Sequence, residues 1–321
     1  MDKKQTILNE LFEHQNQYFS GDQLAQKLHM SRTMIWKYIK ALQEDGFEIE
    51  SKKSAGYRLV KGYTLNATLI KNRLNDTVDV QTFKTIDSTN TYLKNYLSQN
   101  VLNRPLAIIA EQQTAGYGKY KREFYSPDHG GLYLSLSLPL VDQNIDPSLL
   151  TTSVAVGVMQ MLQKYFPKQS FSVKWVNDIY KGNKKIVGIL TEATTDLESF
   201  SPSDVVIGIG INLTTEKFPA ELKDKVAAAG KILPADINEI AADLIQRLIK
   251  IYSDYKTGKY LDFYRMHLNL LDNVVTLQVG NKKIKGKVLG INDQGGLIIE
   301  DNKTGDVKAY YSGEVQKVLH E

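Results

Sequence analysis

A lysine within a strand of alternating hydrophobicity constrains this chain of 321 residues more than any other feature. The segment from Phe171 to Trp175 alternates in hydrophobicity, so its apolar side chains share one face and Lys174 points to the other. The strand then runs into the polar turn Asn177-Asp178. If the face of Lys174 lines a pocket, its ammonium group has little water around it and can stabilise developing phosphate charge. The pattern therefore predicts an anion-binding site built around Lys174.

An irregular, basic loop lies upstream of this strand. Residues 111–127 show no periodicity, which predicts a loop that an anion could organise, although an ordinary surface loop has the same composition. Gly116 and Gly118 would allow close backbone approach, and the positive charge comes from Lys119, Lys121 and Arg122. The spacing is not that of a P-loop.

Four small polar residues, Asp87-Ser88-Thr89-Asn90, follow a strand predicted at residues 80–83 and open a helix. Capping of that helix explains Asp87 and Ser88. Carboxylate, hydroxyl and amide groups at a helix N-terminus can also bind a polar ligand. The sequence favours neither interpretation.

The other central segments predict an α+β domain without regular βαβ winding. Expected elements are buried strands at 106–110, 186–190 and 205–212, a half-buried strand at 132–138, a hairpin turn at Gly182-Asn183, and helices at 149–166 and 237–257. Gly208 and Gly210 remove side chains where a ligand or a neighbouring helix approaches the backbone. From residue 272 onward, four or five short strands predict a small SH3-like barrel, which is expected to carry no catalytic group and to pack on its neighbour or on the substrate.

The first sixty residues predict a winged helix-turn-helix. Apolar residues at helical spacing give a first helix, and Ser20 with Gln23 forms a capping box before a second helix. A third helix follows Ser31 and turns these side chains away from its apolar face: Arg32, Thr33, Trp36, Lys37 and Lys40. The segment from Gly21 to Lys40 is therefore a candidate helix-turn-helix for the major groove of DNA, and Ser31 is a candidate DNA contact together with these side chains.

A β-hairpin is expected at residues 47–59, with Lys52 and Lys53 in reach of phosphates at its tip. A three-helix bundle with a solvated cationic face is the alternative, but caps, turn, helix and hairpin together favour DNA binding. Four acidic residues between the helix and the wing weaken any diffuse basic patch: Glu44, Asp45, Glu48 and Glu50. Binding is accordingly expected to need two modules acting together.

Composition restricts the chemistry further. The chain has no cysteine, which excludes disulfides, thiolate zinc sites and cysteine nucleophiles, and its five histidines are too scattered for a metal site. A formal charge of +4 does not by itself indicate nucleic-acid binding. No apolar run approaches the roughly 18 residues of a membrane span, and the N-terminus leads directly into an amphipathic helix. We therefore expect a cytoplasmic protein with no signal peptide and no membrane partner.

Taken in this order, the segments resemble those of the bifunctional biotin–protein ligases that also repress the biotin operon. The resemblance covers essentially the whole chain, and its most specific motifs are Ser88-Thr89-Asn90 and Lys174-Trp175-Val176-Asn177-Asp178. It implies an α+β protein of three domains. These are a winged helix-turn-helix over 1–63, a catalytic domain over 64–271 whose mixed sheet is similar to that of class II aminoacyl-tRNA synthetases, and an SH3-like domain over 272–321.

The resemblance also implies the reaction and its partners. Biotin and Mg-ATP would form biotinyl-5'-AMP, and biotin would pass to a lysine of the biotin carboxyl carrier protein of acetyl-CoA carboxylase, with pyruvate carboxylase as a second candidate acceptor. The adenylate would act as corepressor by promoting a homodimer that binds operator DNA.

The same resemblance assigns roles to individual side chains. The implied biotin-binding residues are Ser88, Thr89, Asn90, Gln113, Tyr117, Gly118, Lys119 and Lys174. The implied nucleotide-binding residues are Gly116, Lys119, Arg122, Lys174, Asn177 and Asn212. The candidate catalytic residues are Lys174, Lys119 and Arg122, and the candidate Mg²⁺ ligand is Asp178.

The loop departs from the glycine-arginine-glycine-arginine pattern that is usual in the family. Tyr117 replaces the first arginine and loses a cation, whereas Lys119 replaces the second and keeps the charge without the bidentate fork.

Two other functions stay open. A lipoate ligase on the same scaffold is disfavoured by the flanking winged helix and barrel, and a biotin-sensing transcription factor without catalysis is favoured only by the substituted loop.

Overall fold

The computed structural model describes residues 3–14, 17–44, 47, 49–60, 64–140, 144–195 and 202–319. The predicted domain boundary after residue 63 follows residues 61–63, which lie outside the described residues. Asp45 and Glu48, two of the acidic residues named above, also lie outside them. The domain limits therefore stay a prediction. No helix in the described ranges combines the length and apolar character that crossing a membrane requires.

The N-terminal region is the predicted winged helix-turn-helix. Its elements are α1 (Lys3–Glu13), α2 (Gly21–Lys27), α3 (Arg32–Glu44), β1 (Ile49–Lys52) and β2 (Gly56–Leu59). The capping box is confirmed, because Gln23 N donates to Ser20 Oγ at 3.1 Å and Ser20 N donates to Gln23 Oε1 at 2.8 Å. Ser31 Oγ likewise accepts from Met34 N at 3.2 Å, which caps α3.

The central region is a mixed sheet with helices on both faces. Its strands are β3 (Asp79–Ile86), β4 (Leu106–Gln113), β5 (Gly131–Pro139), β6 (Ser172–Lys174), β7 (Asp178–Lys181), β8 (Lys184–Thr195) and β9 (Pro202–Asn212). Its helices are α4 (Ala67–Arg73), α5 (Thr89–Leu97), α6 (Pro147–Tyr165), α7 (Ile237–Asp254) and α8 (Leu261–Met266). Single-turn 3₁₀ helices occupy Lys119–Lys121 and Tyr255–Thr257.

The strand order is β3-β4-β5-β9-β8-β7-β6. Within the described ranges β3 and β4 pair in parallel, because α5 forms the crossover between them, and every other neighbouring pair in this sheet is antiparallel. The hairpin predicted at Gly182-Asn183 is confirmed, since β7 and β8 pair on either side of it. The expectation of a mixed sheet without regular βαβ winding is correct.

Strand β5 was expected to be half-buried, and this expectation is wrong. Leu132, Leu134 and Leu136 belong to the main core, while Ser135 and Ser137 on the opposite face are also fully buried. The reason is that α5 covers that second face and supplies hydrogen-bond partners for Ser135. Alternation of polar and apolar residues therefore signals a strand here but not an exposed face.

Two further differences affect the site. Strand β4 continues through Gln113, so the irregular loop begins at Thr114 rather than at Glu111. The short helices α4 and α8 have no counterpart in the sequence prediction. They are seven and six residues long, which is too short for a periodic pattern to be visible.

The C-terminal region is a five-stranded antiparallel sheet. Its strands are β10 (Val274–Val279), β11 (Lys282–Ile291), β12 (Leu297–Asp301), β13 (Val307–Tyr310) and β14 (Glu314–Leu319), in the order β13-β12-β11-β10-β14. The sheet packs on the central region as expected: Ser148 Oγ and Trp175 Nε1 both donate to the carbonyl oxygen of Gly295, at 2.9 and 3.0 Å. The two regions share one apolar core.

A buried carboxylate makes the stability of this core dependent on pH. Asp236 caps α7 by accepting from Asn238 N at 2.8 Å, and burial raises its pKa to about 6. The folded protein therefore holds this proton more tightly than the unfolded chain, whose aspartates titrate near 4, so stability falls as the pH rises through about 6. Two pKa units correspond to at most about 3 kcal/mol.

We expect Asp236→Asn to raise the free energy of unfolding at pH 8, because the amide keeps the cap and carries no charge. The gain should shrink at pH 5, where the native carboxylate is largely protonated. Urea unfolding of both proteins at the two pH values measures the effect. A variant that is less stable than the native protein at pH 8 would contradict the explanation.

Candidate functional site

A pocket opens between the N-terminus of α5, the loop of residues 114–130, strands β6 to β9 and the C-terminal sheet. The residues that line it include Ser88, Thr89, Asn90, Gln113, Tyr117, Gly118, Lys119, Arg122, Lys174, Asn177 and Asp178. Most of the side chains that the sequence analysis singled out for chemistry thus lie together, although they come from distant parts of the chain.

Lys174 lies in this pocket as the alternating strand predicts. Phe171, Val173 and Trp175 are buried on the opposite face, in the main core. The pKa of Lys174 is lowered, chiefly by burial and also by the nearby Lys185 ammonium, while the Asp178 carboxylate acts in the opposite direction. The ammonium group is thus a partly desolvated cation with fixed neighbours.

A second strand-borne lysine reaches the same pocket and was missed from the sequence. Lys185 Nζ lies 2.7 Å from Asp178 Oδ1. Lys185 is placed by the β7–β8 hairpin, which sets it opposite Tyr180. The Gly182-Asn183 turn fixes that register, so the turn was the available signal, but it gave no reason to choose Lys185 over Lys184.

Asp178 was the candidate metal ligand, and it is already paired with Lys185. In the part of the chain that the structure describes, no group of three or more histidine, aspartate or glutamate side chains could hold a metal ion. The described residues therefore do not form a metal site from protein ligands alone.

The polar cluster at the start of α5 is both a cap and a pocket wall. Ser88 Oγ accepts from Thr91 N at 3.3 Å and caps the helix. Thr89 donates through its backbone N and its hydroxyl to Gln113 Oε1, at 2.9 and 3.1 Å, and Gln113 Nε2 donates to Ser126 Oγ at 3.0 Å. Capping thus accounts for Ser88, while Thr89 and Asn90 bond to neighbouring strands beside the pocket.

The glycines of β9 allow two side chains to approach the sheet. A methyl group on Gly208 would lie 2.4 Å from the amide of Asn90, and one on Gly210 would lie 2.4 Å from the ring of Phe124. The predicted close approach is therefore made by α5 and by the loop.

The basic loop is held by the C-terminal sheet. Lys119 Nζ donates to the carbonyl oxygen of Gly313 at 3.1 Å, and the guanidinium of Arg122 pairs with the Glu314 carboxylate through two nitrogens, one of them at 2.9 Å. Burial lowers the pKa of Lys119. The C-terminal region also lines the pocket through Gly313 and Glu314, in line with the expectation that it packs on its neighbour or on the substrate. Only the docking of two distant regions creates this contact.

Two predicted nucleotide-binding residues lie outside the described pocket lining. Gly116 is buried in the loop, where a side chain would lie 2.6 Å from Gln113 Nε2, so it serves loop packing. Asn212 is buried at the end of β9, and its Oδ1 atom has no hydrogen-bond partner among the described residues. Asn177 lines the pocket, but its Nδ2 donates to the carbonyl oxygen of Ile189 at 2.6 Å, which fixes the turn.

A separate groove lies between α3 and the wing. Arg32, Thr33, Trp36, Lys52 and Lys53 line it, and Lys37 and Lys40 are also exposed on α3. Trp36 is 54% exposed, which is unusual for a tryptophan that has no partner surface. All side chains predicted to contact DNA are thus accessible on one module.

Comparisons with known families agree with this architecture. Residues 82–212 match the biotin/lipoate A/B protein ligase family, residues 3–58 match an HTH domain, and residues 273–318 match the biotin protein ligase C-terminal domain. The fold and site therefore define a protein ligase of the biotin/lipoate class that carries a helix-turn-helix module.

Relatives that match almost the whole chain identify the family within this class. The chain is 32% identical to the bifunctional ligase/repressor BirA of Bacillus subtilis, with 94% of each chain covered, and 31% identical to that of Escherichia coli, with 93% of this chain and 92% of that one covered. This chain belongs to the bifunctional biotin ligase/repressor family, which confirms the resemblance seen in the sequence. Among solved structures, the biotin protein ligase from Aquifex aeolicus in complex with biotin and ATP is similar, with a TM-score of 0.64, 26% identity, and coverage of 75% of this chain and 99% of that one.

We expect Gly208→Ala to destabilise the protein by about 1–3 kcal/mol, because the added methyl group displaces Asn90 from its bond with Ser135. Denaturant unfolding measures the loss. Gly118→Ala is the matched control, since Gly118 has a φ of −114° and nothing within 4 Å of an added methyl group. Equal stability losses in the two variants would show that the Asn90 contact is not what requires Gly208.

Proposed function

We propose that the pocket around Lys174 joins biotin to ATP and that the groove of the winged helix binds operator DNA. In this proposal a biotin carboxylate oxygen attacks the α-phosphorus, pyrophosphate leaves, and biotinyl-5'-AMP remains bound. The amine of an acceptor lysine then attacks the acyl carbon, AMP leaves, and the amine loses one proton. The observation that carries the proposal is the partly desolvated Lys174 ammonium, which lies beside the polar end of α5 and under a cationic loop.

The cations act mainly by position and charge. Attack of one anion on another concentrates negative charge, and the transition state is stabilised by donors that are already fixed and poorly hydrated. Lys174 Nζ would contact the carboxylate and the α-phosphate. Lys119 and Arg122 would close over the phosphates, and Lys185 adds a cation that the sequence analysis did not include. A loop that excludes water would also protect the mixed anhydride from hydrolysis.

Biotin would occupy the wall formed by α5 and β4. Ser88, Thr89, Asn90 and Gln113 offer hydroxyl and amide groups. Ser88 is fixed by its capping bond from Thr91, and the other three are fixed by bonds to each other or to Ser126 and Ser135. These groups suit the ureido and carboxylate ends of the vitamin, with Tyr117 and Gly118 above them. Asn177 would contact the nucleotide, and the unpartnered Oδ1 of Asn212 and the buried Gly116 would support its site.

Magnesium fits the pocket in the way this ion usually binds beside nucleotides. Mg²⁺ takes one or two carboxylates and completes its shell with phosphate oxygens and water. Asp178 would be the carboxylate, with Lys185 as its present partner. When bound, the ion would neutralise charge on the phosphates.

We further propose that the adenylate is the corepressor. A two-fold homodimer would present two winged helices to two half-sites, so that ligand occupancy and DNA affinity are coupled. The acceptor would be the biotin carboxyl carrier protein of acetyl-CoA carboxylase, and the use of ATP and operator DNA would place the protein in the cytoplasm. A lipoate ligase or a sensor without catalysis is not favoured, because the whole-chain relatives are ligase/repressors.

We expect Lys174→Ala to lower biotin-dependent pyrophosphate release at least about 100-fold, because the main cation at the reacting centre is lost. Lys71→Ala is the matched control, since Lys71 pairs with Asp79 at 3.2 Å and lies outside the pocket lining that the structure describes. Circular dichroism verifies the fold of both variants. Turnover close to that of the native protein after Lys174→Ala would refute the assigned role, and turnover with lipoate alone would refute the substrate.

We expect the double substitution Lys52→Ala and Lys53→Ala to weaken DNA binding and to make its dependence on salt shallower by about two in the log–log slope, since each lost phosphate contact removes about one unit. Binding is measured by fluorescence anisotropy on DNA selected with the full-length, adenylate-loaded protein. Lys84→Ala, an exposed lysine on β3, is the control. A slope that does not change would show that the wing makes no phosphate contact.

A further inference from the structure

Two ammonium groups lie close to the ring of Tyr117. Lys121 Nζ is 3.9 Å from the ring centroid and belongs to the same loop, and Lys94 Nζ is 5.5 Å from it and belongs to α5. Both distances are within the range in which a cation is attracted to an aromatic ring. The contact with Lys94 therefore ties the loop to the helix whose N-terminus forms one wall of the pocket.

Lys94 is itself fixed by a carboxylate on a third element. Its Nζ donates to both oxygens of Glu192 on β8, at 3.1 and 3.0 Å, and the two side chains are only 29% and 32% exposed. Burial alone would lower the pKa of Lys94, but Tyr117 and Glu192 outweigh it and raise that pKa. The ammonium group is therefore charged and held in place next to the ring.

Backbone hydrogen bonds connect Tyr117 to the rest of the loop. Tyr117 and Glu123 form an antiparallel bridge, Gly118 N donates to the carbonyl oxygen of Arg122 at 2.8 Å, and Phe124 N donates to that of Gly116 at 2.8 Å. These backbone contacts join residues 116–124 into one compact unit. On its other side this unit is held by Glu314, through Arg122.

Neither Lys94 nor Glu192 lines the pocket among the described residues, so the chemistry described above does not use them. We propose that Lys94, held by Glu192, is a positioning residue that keeps residues 116–124 closed over the pocket. In the ligase, this closure would slow the escape of the adenylate. Only that consequence rests on the proposed function.

The closure is tested first on the ligand-free, full-length protein by limited trypsin digestion. Cleavage after Lys119, Lys121 and Arg122, mapped by mass spectrometry, reports the open population of the loop. We expect Lys94→Met to speed this cleavage about 2- to 30-fold, the range that corresponds to one cation–π contact. Lys94→Arg, which keeps the charge, should restore slow cleavage. Lys71→Met, which removes another helix lysine paired with a strand carboxylate, should leave it unchanged.

Two further variants separate a specific contact from general loosening. Glu192→Gln keeps Lys94 but weakens its anchor, so it should speed loop cleavage in the same direction. Tyr117→Phe keeps the ring and should cleave slowly, whereas Tyr117→Leu should cleave fast. Adding Lys94→Met to Tyr117→Leu should then have no further effect, because the partner is already gone.

Fully additive effects of these two substitutions, or unchanged loop cleavage in Lys94→Met, would overturn the proposal. So would faster cleavage spread evenly over the whole chain, which indicates a loss of global stability. The second readout is the rate at which radiolabelled adenylate leaves the protein on filters, which should rise in the same variants and by a similar factor. A native protein that forms no adenylate would refute the ligase function, while the cleavage rates would still decide the role of Lys94.

Discussion

The pocket depends on a buried hydrogen-bond network between α5 and the sheet. Ser135 on β5 lies 2.8 Å from the hydroxyl of Thr89 and also contacts Asn90, while Gln113 on β4 bonds to Thr89. Buried polar groups are costly unless every one finds a partner, so these contacts fix α5 in a single position on the sheet. Gly208 leaves the space that Asn90 needs. The polar end of the helix is therefore presented to the pocket with its donors and acceptors already oriented.

Positive charge is concentrated in the same pocket as this polar wall. Lys174 and Lys185 come from neighbouring parts of the sheet, and Lys119 comes from the loop. Burial lowers the pKa of Lys174 and of Lys119, so each cation is partly stripped of water and would gain from an anionic ligand. Their arrangement explains how a protein without a P-loop can bind phosphates. The loop that lines the same pocket is anchored by Glu314 on one side and packed against Lys94 on the other.

The segment that follows the DNA-binding module is hydrogen-bonded to a strand that also lines the pocket. Leu65 N, just after the winged helix, donates to Glu111 Oε1 at 2.7 Å, and Glu111 lies two residues before Gln113 on β4. Asn66 N donates to Asn238 Oδ1 at 2.7 Å, and Leu69 of α4 packs into the apolar cluster of the winged helix. The chain that leaves the module is thus fixed to the element that orients the polar pocket wall. The two functional regions are therefore linked by part-buried hydrogen bonds and by one buried leucine.

Local features of the sequence predicted much of this protein because they depend on near neighbours. Alternation around Lys174 placed it opposite a buried face, and the Ser20 capping box and the hairpin turn set elements whose bonds span only a few residues. The family resemblance brought the other site residues together. The alternation of polar and apolar residues also gave a wrong prediction for β5, because it could not show that α5 covers the second face of this strand and buries Ser135.

The contacts that only the tertiary structure revealed join residues far apart in the chain. Glu314 reaches Arg122 across 192 positions, Lys94 reaches Glu192 across 98, and Lys185 rather than Lys184 faces Asp178. Such pairs leave no periodic signal, since their meeting depends on how whole elements pack. The sequence by itself determined on which local elements the candidate side chains lie. The packing of three regions around one core decided which of them share a pocket, because burial and distance are properties of the assembled fold.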